Sequence, residues 1–393
     1  MPHLRNRYVL KLIAKRLKFS PVIALQGARQ TGKSVLVRDI LAKSLKGSKY
    51  VTFDSHTSAD FAQNNPESFL ASYQDFSPLI IDEAQKVPPI FDAVKLRVDE
   101  DRKPGRYLLL GSTEFSHLTK IRESLTGRMG RIRLYPFTLG ETHNLPLRDY
   151  KLGDLFVNKP RISRAQLFKH LELGGMPGLF SIRDAAERLR QWDDWLKLTC
   201  ERDVLQMQGV KIDSGLCLAI LEQVAKLNEP SAGAIAKSLL RDLRKIKIHL
   251  DVLETLFVVQ KLSPHRGGTG KPIYTLLDVA LAHILGASLH KRLVTLVRTE
   301  LDSLLAYHDE PFTSMTYFRT RGGGTIHFVI ENPKELAIIK VLASESLDLR
   351  ELEILKSFQN KDYEKKIHSY ALGGERFSLK KEKIEVFPWE SVG

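Results

Sequence analysis

The sequence predicts an α/β protein in which a parallel sheet covered by helices is followed by a helical region and a smaller α/β domain. Over the first 140 residues, short apolar runs alternate with helical stretches, which is typical of a parallel sheet. Between about Asp213 and Ala280 this pattern changes to three compact helices followed by two short apolar runs. The last hundred residues mix strands with helices, which predicts a separate α/β unit.

The length and composition support several globular domains. A chain of 393 residues is too long for one hydrophobic core, and we predict domains at 1–140, 141–212, 213–280 and 281–393. No stretch of 18 apolar residues occurs, so no membrane span is expected. The two cysteines, Cys200 and Cys217, form no CxxC motif, which predicts free thiols and a cytoplasmic location.

The net charge of +14 favours a polyanionic partner such as nucleic acid. Many nucleotide-binding proteins are equally basic without touching DNA, so the charge leaves a DNA partner open.

The first domain is expected to contain five strands, at 22–26, 50–53, 79–82, 107–111 and 132–135. After the first strand, residues 27–34 fit the phosphate-binding pattern G-x-x-x-x-G-K-[ST] without a mismatch. In such a loop the backbone N–H groups turn toward the β-phosphate, the lysine adds charge, and the final hydroxyl ligates Mg²⁺. The residues expected to bind the nucleotide are Gly27, Ala28, Arg29, Gln30, Thr31, Gly32, Lys33, Ser34 and Val35.

The third predicted strand ends in two carboxylates, Asp82 and Glu83, which is the Walker B pattern. Asp82 is expected to hold Mg²⁺ through water, with Ser34 as a second metal-binding residue, and Glu83 to polarise the attacking water. Ser112 and Thr113 follow the fourth strand, where a hydroxyl could bond the water or the γ-phosphate. A hydroxyl at a strand end is also a common turn residue, so both interpretations stay open.

The segment 213–280 has a winged-helix layout. Helices are expected at 216–227, 231–240 and 243–256, with Ser231 as an N-cap, and strands at 257–262 and 272–276 flank a basic glycine loop. A groove-reading function would use the third helix and the loop, and either DNA binding or pure protein contacts fit this layout. The basic side chains concerned are Arg241, Arg244, Lys245, Lys247, His265, Arg266 and Lys271.

The C-terminal domain is expected to contain a helix at 291–306 and strands at 315–319, 325–330 and 336–342. A helix at 349–358 follows. The tail 361–383 is rich in charge, which predicts a mobile or surface segment.

Several segments together resemble a known family: residues 27–34, 79–85, 109–112, 123–128, 135–141 and the turn at 174–177. They are similar to the prokaryotic predicted ATPases of the AAA+ superfamily whose C-terminal half resembles a restriction-endonuclease fold. The resemblance implies an ASCE P-loop fold that uses ATP and Mg²⁺, with Ser112 or Thr113 near the sensor position. Arg128 matches the arginine of the family's S-L-x-G-R element, which implies a catalytic charge supplied in cis or from a neighbouring subunit of a homo-oligomer. Arg131 and Arg133 lie close enough in sequence to be alternatives.

The C-terminal domain departs from the nucleases of that fold. His327 stands where they carry an aspartate, and no carboxylate lies between Ala337 and Ser344, where they carry Glu-x-Lys. Because metal-dependent cleavage needs converging carboxylates, we expect an ATP hydrolase that is not a nuclease. Its nucleotide state is expected to control the attached modules, acting on DNA or a DNA-associated partner. The alternative is a protein-binding signalling switch with slow hydrolysis and no direct role on DNA.

Overall fold

The computed structural model describes residues 5–115, 127–204, 212–360, 364–381 and 383–393. Its N-terminal part is a five-stranded, fully parallel sheet of order β2-β3-β4-β1-β5. The strands are β1 Val22–Gln26, β2 Lys49–Thr52, β3 Leu79–Asp82, β4 Tyr107–Gly111 and β5 Met129–Arg133. The parallel sheet is therefore confirmed, and β1, β3 and β4 have the predicted bounds; β5 begins three residues earlier than expected.

Both faces of this sheet are buried because alternate side chains of each strand point to opposite sides. Val22 and Ala24 pack with the helix Pro89–Glu100 on one face, whereas Ile23 and Leu25 pack with the helix Val9–Leu17 on the other. The helices that cover or flank the sheet are Val9–Leu17, Lys33–Val35 with its continuation Leu36–Leu41 and Ala42–Ser44, His56–Asn64, Pro66–Ala71 and Pro89–Glu100. Since all strands run the same way, the ends of β1, β3 and β4 lie at one edge, which positions the site described below.

The helical region that follows contains the turn that the sequence predicts around Gly174. Its helices are Leu139–Thr142, Arg164–Leu173, Pro177–Phe180 and Ala185–Lys197, the last continuing as Leu198–Asp203. Three further helices, Ser214–Lys226, Ala232–Leu239 and Leu243–Thr255, precede an antiparallel hairpin of β6 Val259–Leu262 and β7 Ile273–Leu276. The Ser231 hydroxyl accepts a hydrogen bond from the Ala234 N–H, which confirms the predicted N-cap.

The basic loop between β6 and β7 is docked on the C-terminal sheet. The backbone N–H of His265 donates to the Tyr317 carbonyl at 2.6 Å, and that of Thr269 donates to the Arg319 carbonyl at 2.8 Å. The Tyr317 hydroxyl donates to the Lys271 carbonyl, and Arg266 pairs with Glu331. The loop is therefore not a free wing in this structure: β8 is an edge strand, and its unpaired backbone groups bind the loop. Whether this segment contacts DNA or only protein stays a prediction.

The C-terminal part is a six-stranded mixed sheet of order β12-β13-β11-β10-β9-β8. Its strands are β8 Ser314–Arg319, β9 Thr325–Glu331, β10 Glu335–Val341, β11 Lys366–Gly373, β12 Leu379–Lys381 and β13 Ile384–Pro388, and its helices are Val279–Ile284, Leu289–His308 and Glu353–Gln359. The prediction of a mobile or surface tail at 361–383 is wrong for residues 366–373, because β11 lies inside the sheet and pairs in parallel with β10 and β13. The buried run Tyr370-Ala371-Leu372 drives this placement, although charged residues flank it.

Apolar clusters cross the predicted domain boundaries. Leu167 and Leu171 pack in one cluster with the helix Leu289–His308 and the six-stranded sheet. Trp192 and Trp195 instead pack with the three helices between 214 and 255. The helical region 141–212 thus contributes to two different cores, while the boundaries at 140, 212 and 280 stay predictions. Within the described ranges, no helix has both the length and the apolar character needed to cross a bilayer, and the free thiols of Cys200 and Cys217 are buried.

Glu300 carries a testable consequence of this packing. Its carboxylate is buried and accepts the Leu139 N–H at 2.6 Å; burial raises its pKa to about 8, and the Leu139 bond opposes that rise. The folded protein holds this proton more tightly than the unfolded chain does. The contribution of protonated Glu300 to the free energy of unfolding is therefore present below about pH 4.5 and is lost as the pH rises through about 8. We expect Glu300→Gln to remove this decline and to be more stable than the wild type at pH 8.5 by about 2 kcal/mol.

Urea denaturation at pH 5, 6.5 and 8.5 measures this effect. Glu222→Gln, on an exposed helix face, is the matched control and should follow the wild type. A wild-type stability that does not fall more between pH 5 and 8.5 than that of Glu300→Gln would contradict the assignment.

Candidate functional site

The loop after β1 has the backbone of a phosphate cradle. Gln30 and Gly32 both have positive φ values, 62° and 89°, which turns successive backbone N–H groups toward one side. The Lys33 ammonium is buried and donates to the carbonyls of Gly27 at 2.7 Å and Ala28 at 2.9 Å. Burial lowers the pKa of Lys33 to about 8. A buried cation beside oriented N–H groups is a donor set that matches phosphate oxygens.

This loop forms one wall of a cleft of about 1140 Å³. The opposite wall comes from the turn after Leu173, the short helix Pro177–Phe180 and the helix Ala185–Lys197. The charged residues that line the cleft are Arg5, Arg7, Arg29, Lys33, Lys169, Arg183, Arg188 and Glu83. Seven of these eight side chains are basic, so the cleft fits a polyanionic ligand.

Arg7 is a site residue that the sequence interpretation missed. Its buried guanidinium donates to the Thr31 carbonyl in the loop at 3.0 Å and to the Tyr135 carbonyl at 2.6 Å. It also pairs with Glu141 at 3.2 Å and stacks over the Phe137 ring at 4.6 Å. Arg7 therefore ties the loop to the segment after β5. It directly precedes the helix Val9–Leu17 and lies outside the phosphate-loop and acidic-pair motifs, so no motif marked it.

The predicted acidic pair and hydroxyl are brought together at the same sheet edge. The Ser112 hydroxyl donates to Glu83 Oε2 at 3.2 Å, and Gln85 Nε2 donates to Ser112 Oγ at 3.0 Å and to the Glu83 carboxylate. Glu83 has a φ of 54°, a left-handed conformation that is strained for this residue type and is common at functional sites. Gln85 is a second group that the motif did not identify.

Asp82 is held from two sides. Its Oδ1 accepts the Glu83 N–H at 2.9 Å and its Oδ2 accepts the Tyr50 hydroxyl at 2.6 Å. Ser34 lies in the first turn of the helix that follows the phosphate loop, and Asp82 ends β3 at the same edge of the sheet. A carboxylate and a hydroxyl are oxygen ligands of the kind that Mg²⁺ prefers. Ser34 and Asp82 therefore fit the metal that the sequence pattern implies.

The structure separates Arg128 from this edge. β5 is parallel to β1 and begins with Met129 opposite Val22, so Arg128 lies where the strands start, at the end of the sheet opposite the phosphate loop. The four residue steps from Val22 to Gln26, where the loop begins, correspond to about 13 Å along the strand. Its guanidinium pairs bidentately with Asp99 on the helix Pro89–Glu100. Arg128 therefore lies away from the phosphate loop of its own chain in this structure, and its action in cis or in trans stays a prediction. Residues 123–126 of the same element lie outside the described part of the chain.

The alternative arginines are distributed along β5. Arg131 lies opposite Ala24 and Arg133 lies opposite Gln26, at the edge where the loop begins. Arg133 stacks on the rings of Tyr135 at 4.8 Å and Phe257 at 4.9 Å.

The residues at nuclease-like positions have structural contacts. His327 Nδ1 accepts the Val341 N–H at 3.0 Å, and Lys340 donates to the Thr325 carbonyl at 3.1 Å. Glu331 closes β9, one residue beyond the predicted end of that strand, and it binds Arg266 and Lys365. Among the described residues, no group of three or more histidine, cysteine or acidic side chains is arranged to hold a metal ion.

Comparison with known proteins gives two family matches. Residues 19–143 match the model of an AAA domain, and residues 164–289 match the model of a domain of unknown function. Uncharacterized proteins of Mycobacterium tuberculosis and Mycobacterium bovis are 29% identical over 278 residues, which is 69% of this chain and 57% of their own length. The chain thus spans little more than half of those relatives.

Two solved structures show a distant similarity to this chain. A Walker-type ATPase of Pyrococcus abyssi is 14% identical, with a TM-score of 0.42, over 72% of this chain and 96% of its own. A signal transduction ATPase with numerous domains and a tetratricopeptide repeat sensor, from Pyrococcus horikoshii, is 12% identical, with a TM-score of 0.28, over 78% and 47%. The AAA domain match over residues 19–143, together with the geometry of the phosphate loop and the parallel sheet, supports a P-loop ATPase domain in this part of the chain.

Proposed function

We propose that the protein binds ATP with Mg²⁺ in the basic cleft and hydrolyses it. The observation that carries this proposal is the convergence of Lys33, Asp82, Glu83 and Ser112 at one edge of the parallel sheet. Nucleotide hydrolysis needs a phosphate-binding cation, a metal-holding oxygen and a base for water, and each of these groups is present.

Each residue has a separate role in this proposal. Lys33 exchanges its carbonyl partners for phosphate oxygens, and the loop N–H groups bind the same phosphates. Ser34 and Asp82 hold Mg²⁺, which neutralises charge on the phosphates when bound. Glu83 accepts a proton from the attacking water, and Ser112 orients the Glu83 carboxylate through its hydrogen bond.

We also propose that the nucleotide state is communicated to the helical region. Arg29 of the phosphate loop pairs with Asp203 at 2.5 Å, at the end of the helix Leu198–Asp203. Burial raises the pKa of Asp203 despite this pairing. Phosphates bound in the loop would compete with Asp203 for the Arg29 guanidinium, so binding would loosen this connection.

Asp203→Asn tests that competition. Without the carboxylate, Arg29 is free for the nucleotide, and we expect the dissociation constant of a non-hydrolysable ATP analogue to fall about threefold to tenfold. Isothermal titration calorimetry measures it, with the exposed Asp193→Asn on the preceding helix as control. Weaker binding in Asp203→Asn would mean that Asp203 supports the loop instead of competing for it.

The action on DNA is part of the proposal and rests on the exposed helix Leu243–Thr255. Arg244, Lys245 and Lys247 are all exposed on it, and phosphate contacts of this kind make binding salt-dependent. The second candidate is a nucleotide-dependent protein-binding switch, and the docking of the loop between β6 and β7 onto β8 favours it, because the loop is occupied by the chain itself.

Phosphate release from ATP, measured with Mg²⁺ and with and without duplex DNA, tests the function. Turnover that depends on Lys33 supports hydrolysis, DNA stimulation supports the DNA role, and slow unstimulated turnover with retained ADP supports the switch. The mass in solution with ATP and with ADP tests the proposed homo-oligomer, in which Arg128 would act on the site of a neighbouring subunit. No phosphate release under any of these conditions would overturn the proposal.

A further inference from the structure

Tyr50 is not part of either nucleotide motif, but its hydroxyl reaches the first carboxylate of the acidic pair. The residue lies on β2, opposite Ile80 of β3, and β2 is one of the two edge strands of the parallel sheet. From there the hydroxyl donates to Asp82 Oδ2 at 2.6 Å. One hydroxyl on β2 therefore holds a side chain at the end of β3, which the sequence brings from 32 residues away.

The position of this hydroxyl has a direct chemical meaning. The hydroxyl occupies Oδ2 of Asp82, one of the two side chains that would hold Mg²⁺. The hydroxyl hydrogen carries partial positive charge, so toward the carboxylate it supplies the kind of interaction that a cation would supply. With the Glu83 N–H on Oδ1, it leaves Asp82 with a partner on each oxygen.

Asp82 is only 2% exposed, so its carboxylate is largely withdrawn from water. The Tyr50 hydroxyl on Oδ2 gives this buried charge a hydrogen-bond partner.

We propose that the Tyr50 hydroxyl is a positioning group that stands in for the metal: it holds Asp82 in place in the metal-free protein and must be displaced from Oδ2 when Mg²⁺ binds. This inference rests on the proposed function. It makes Tyr50 a determinant of how strongly nucleotide binding depends on Mg²⁺, with no role in phosphate binding itself.

Tyr50→Phe tests the proposal by nucleotide binding, without any measurement of turnover. The affinity for a non-hydrolysable ATP analogue is measured by calorimetry in saturating Mg²⁺ and in EDTA. The dissociation constant in EDTA divided by that in Mg²⁺ gives a ratio, which is compared between proteins. Because Phe keeps the ring and removes only the competing donor, the ratio is expected to rise about tenfold. The rise should come from tighter binding in Mg²⁺, with the affinity in EDTA unchanged.

Two further variants make the result specific. In an Asp82→Asn background, Tyr50→Phe should change the ratio less than twofold, because the hydroxyl acts through the carboxylate. Tyr107→Phe removes a hydroxyl from the first residue of β4, at the end of the strand away from the phosphate loop, and should leave the ratio unchanged. Thermal unfolding of each variant verifies that the fold is retained.

The outcomes separate this inference from the function on which it rests. A wild type that binds the analogue while Tyr50→Phe leaves the ratio unchanged, or lowers it, overturns the role of Tyr50 and leaves the proposed function standing. A wild type that does not bind the analogue in Mg²⁺ overturns both.

Discussion

Lys33→Ala is expected to weaken the binding of a non-hydrolysable ATP analogue by at least about a hundredfold. The Lys33 ammonium lies over the loop, on the carbonyls of Gly27 and Ala28, where phosphate oxygens are expected. No other cation has that position in the described part of the cleft, so the lost charge has no substitute. Calorimetric titration in Mg²⁺ measures the loss.

The stability of the same variant distinguishes a binding role from a structural one. Burial lowers the pKa of Lys33 to about 8, so the folded protein disfavours this buried charge. Removing it should leave the unfolding temperature unchanged or slightly higher. Lys103→Ala, with a highly exposed side chain remote from the cleft, is the control and should bind normally. An unchanged affinity of Lys33→Ala for the ATP analogue would contradict the assignment of phosphate binding to this lysine.

Glu83→Gln is expected to retain the nucleotide but to lower the rate of hydrolysis by about a hundredfold to ten-thousandfold. The amide keeps the shape of the carboxylate and its place near Ser112 and Gln85 but is not a base. Affinity and rate should therefore respond differently: the dissociation constant should change less than about threefold while phosphate release nearly stops.

The comparison of Glu83→Gln with Lys33→Ala is the sharper test, because the two residues are assigned different steps. Single-turnover phosphate release and equilibrium binding are measured on the same preparations, with the exposed Glu67→Gln as control. Equal losses of nucleotide binding in both variants would contradict the assignment of water activation to Glu83. A normal rate of phosphate release in Glu83→Gln would also contradict it.

Local pattern was sufficient for the parallel sheet and for the motif residues on it. β1, β3 and β4 are continuous apolar runs that end in Gln26, Asp82 and Gly111, and a parallel sheet brings such ends to one edge. The spacing G-x-x-x-x-G-K-S likewise contains the conformational requirement, since its second glycine has the positive φ of the loop. These features depend on neighbours in sequence, so they were predictable.

The sequence by itself thus determined the phosphate loop, the acidic pair and the strands that carry them. Only the tertiary structure decided that Arg128 lies at the far end of the sheet, that β11 is an inner strand, and that the loop between β6 and β7 docks on β8. It also brought Tyr50 to Asp82 and Arg7 to Thr31, across 32 and 24 residues of sequence. The physical reason is that strand order, edge pairing and burial depend on contacts between distant segments, which no local spacing encodes.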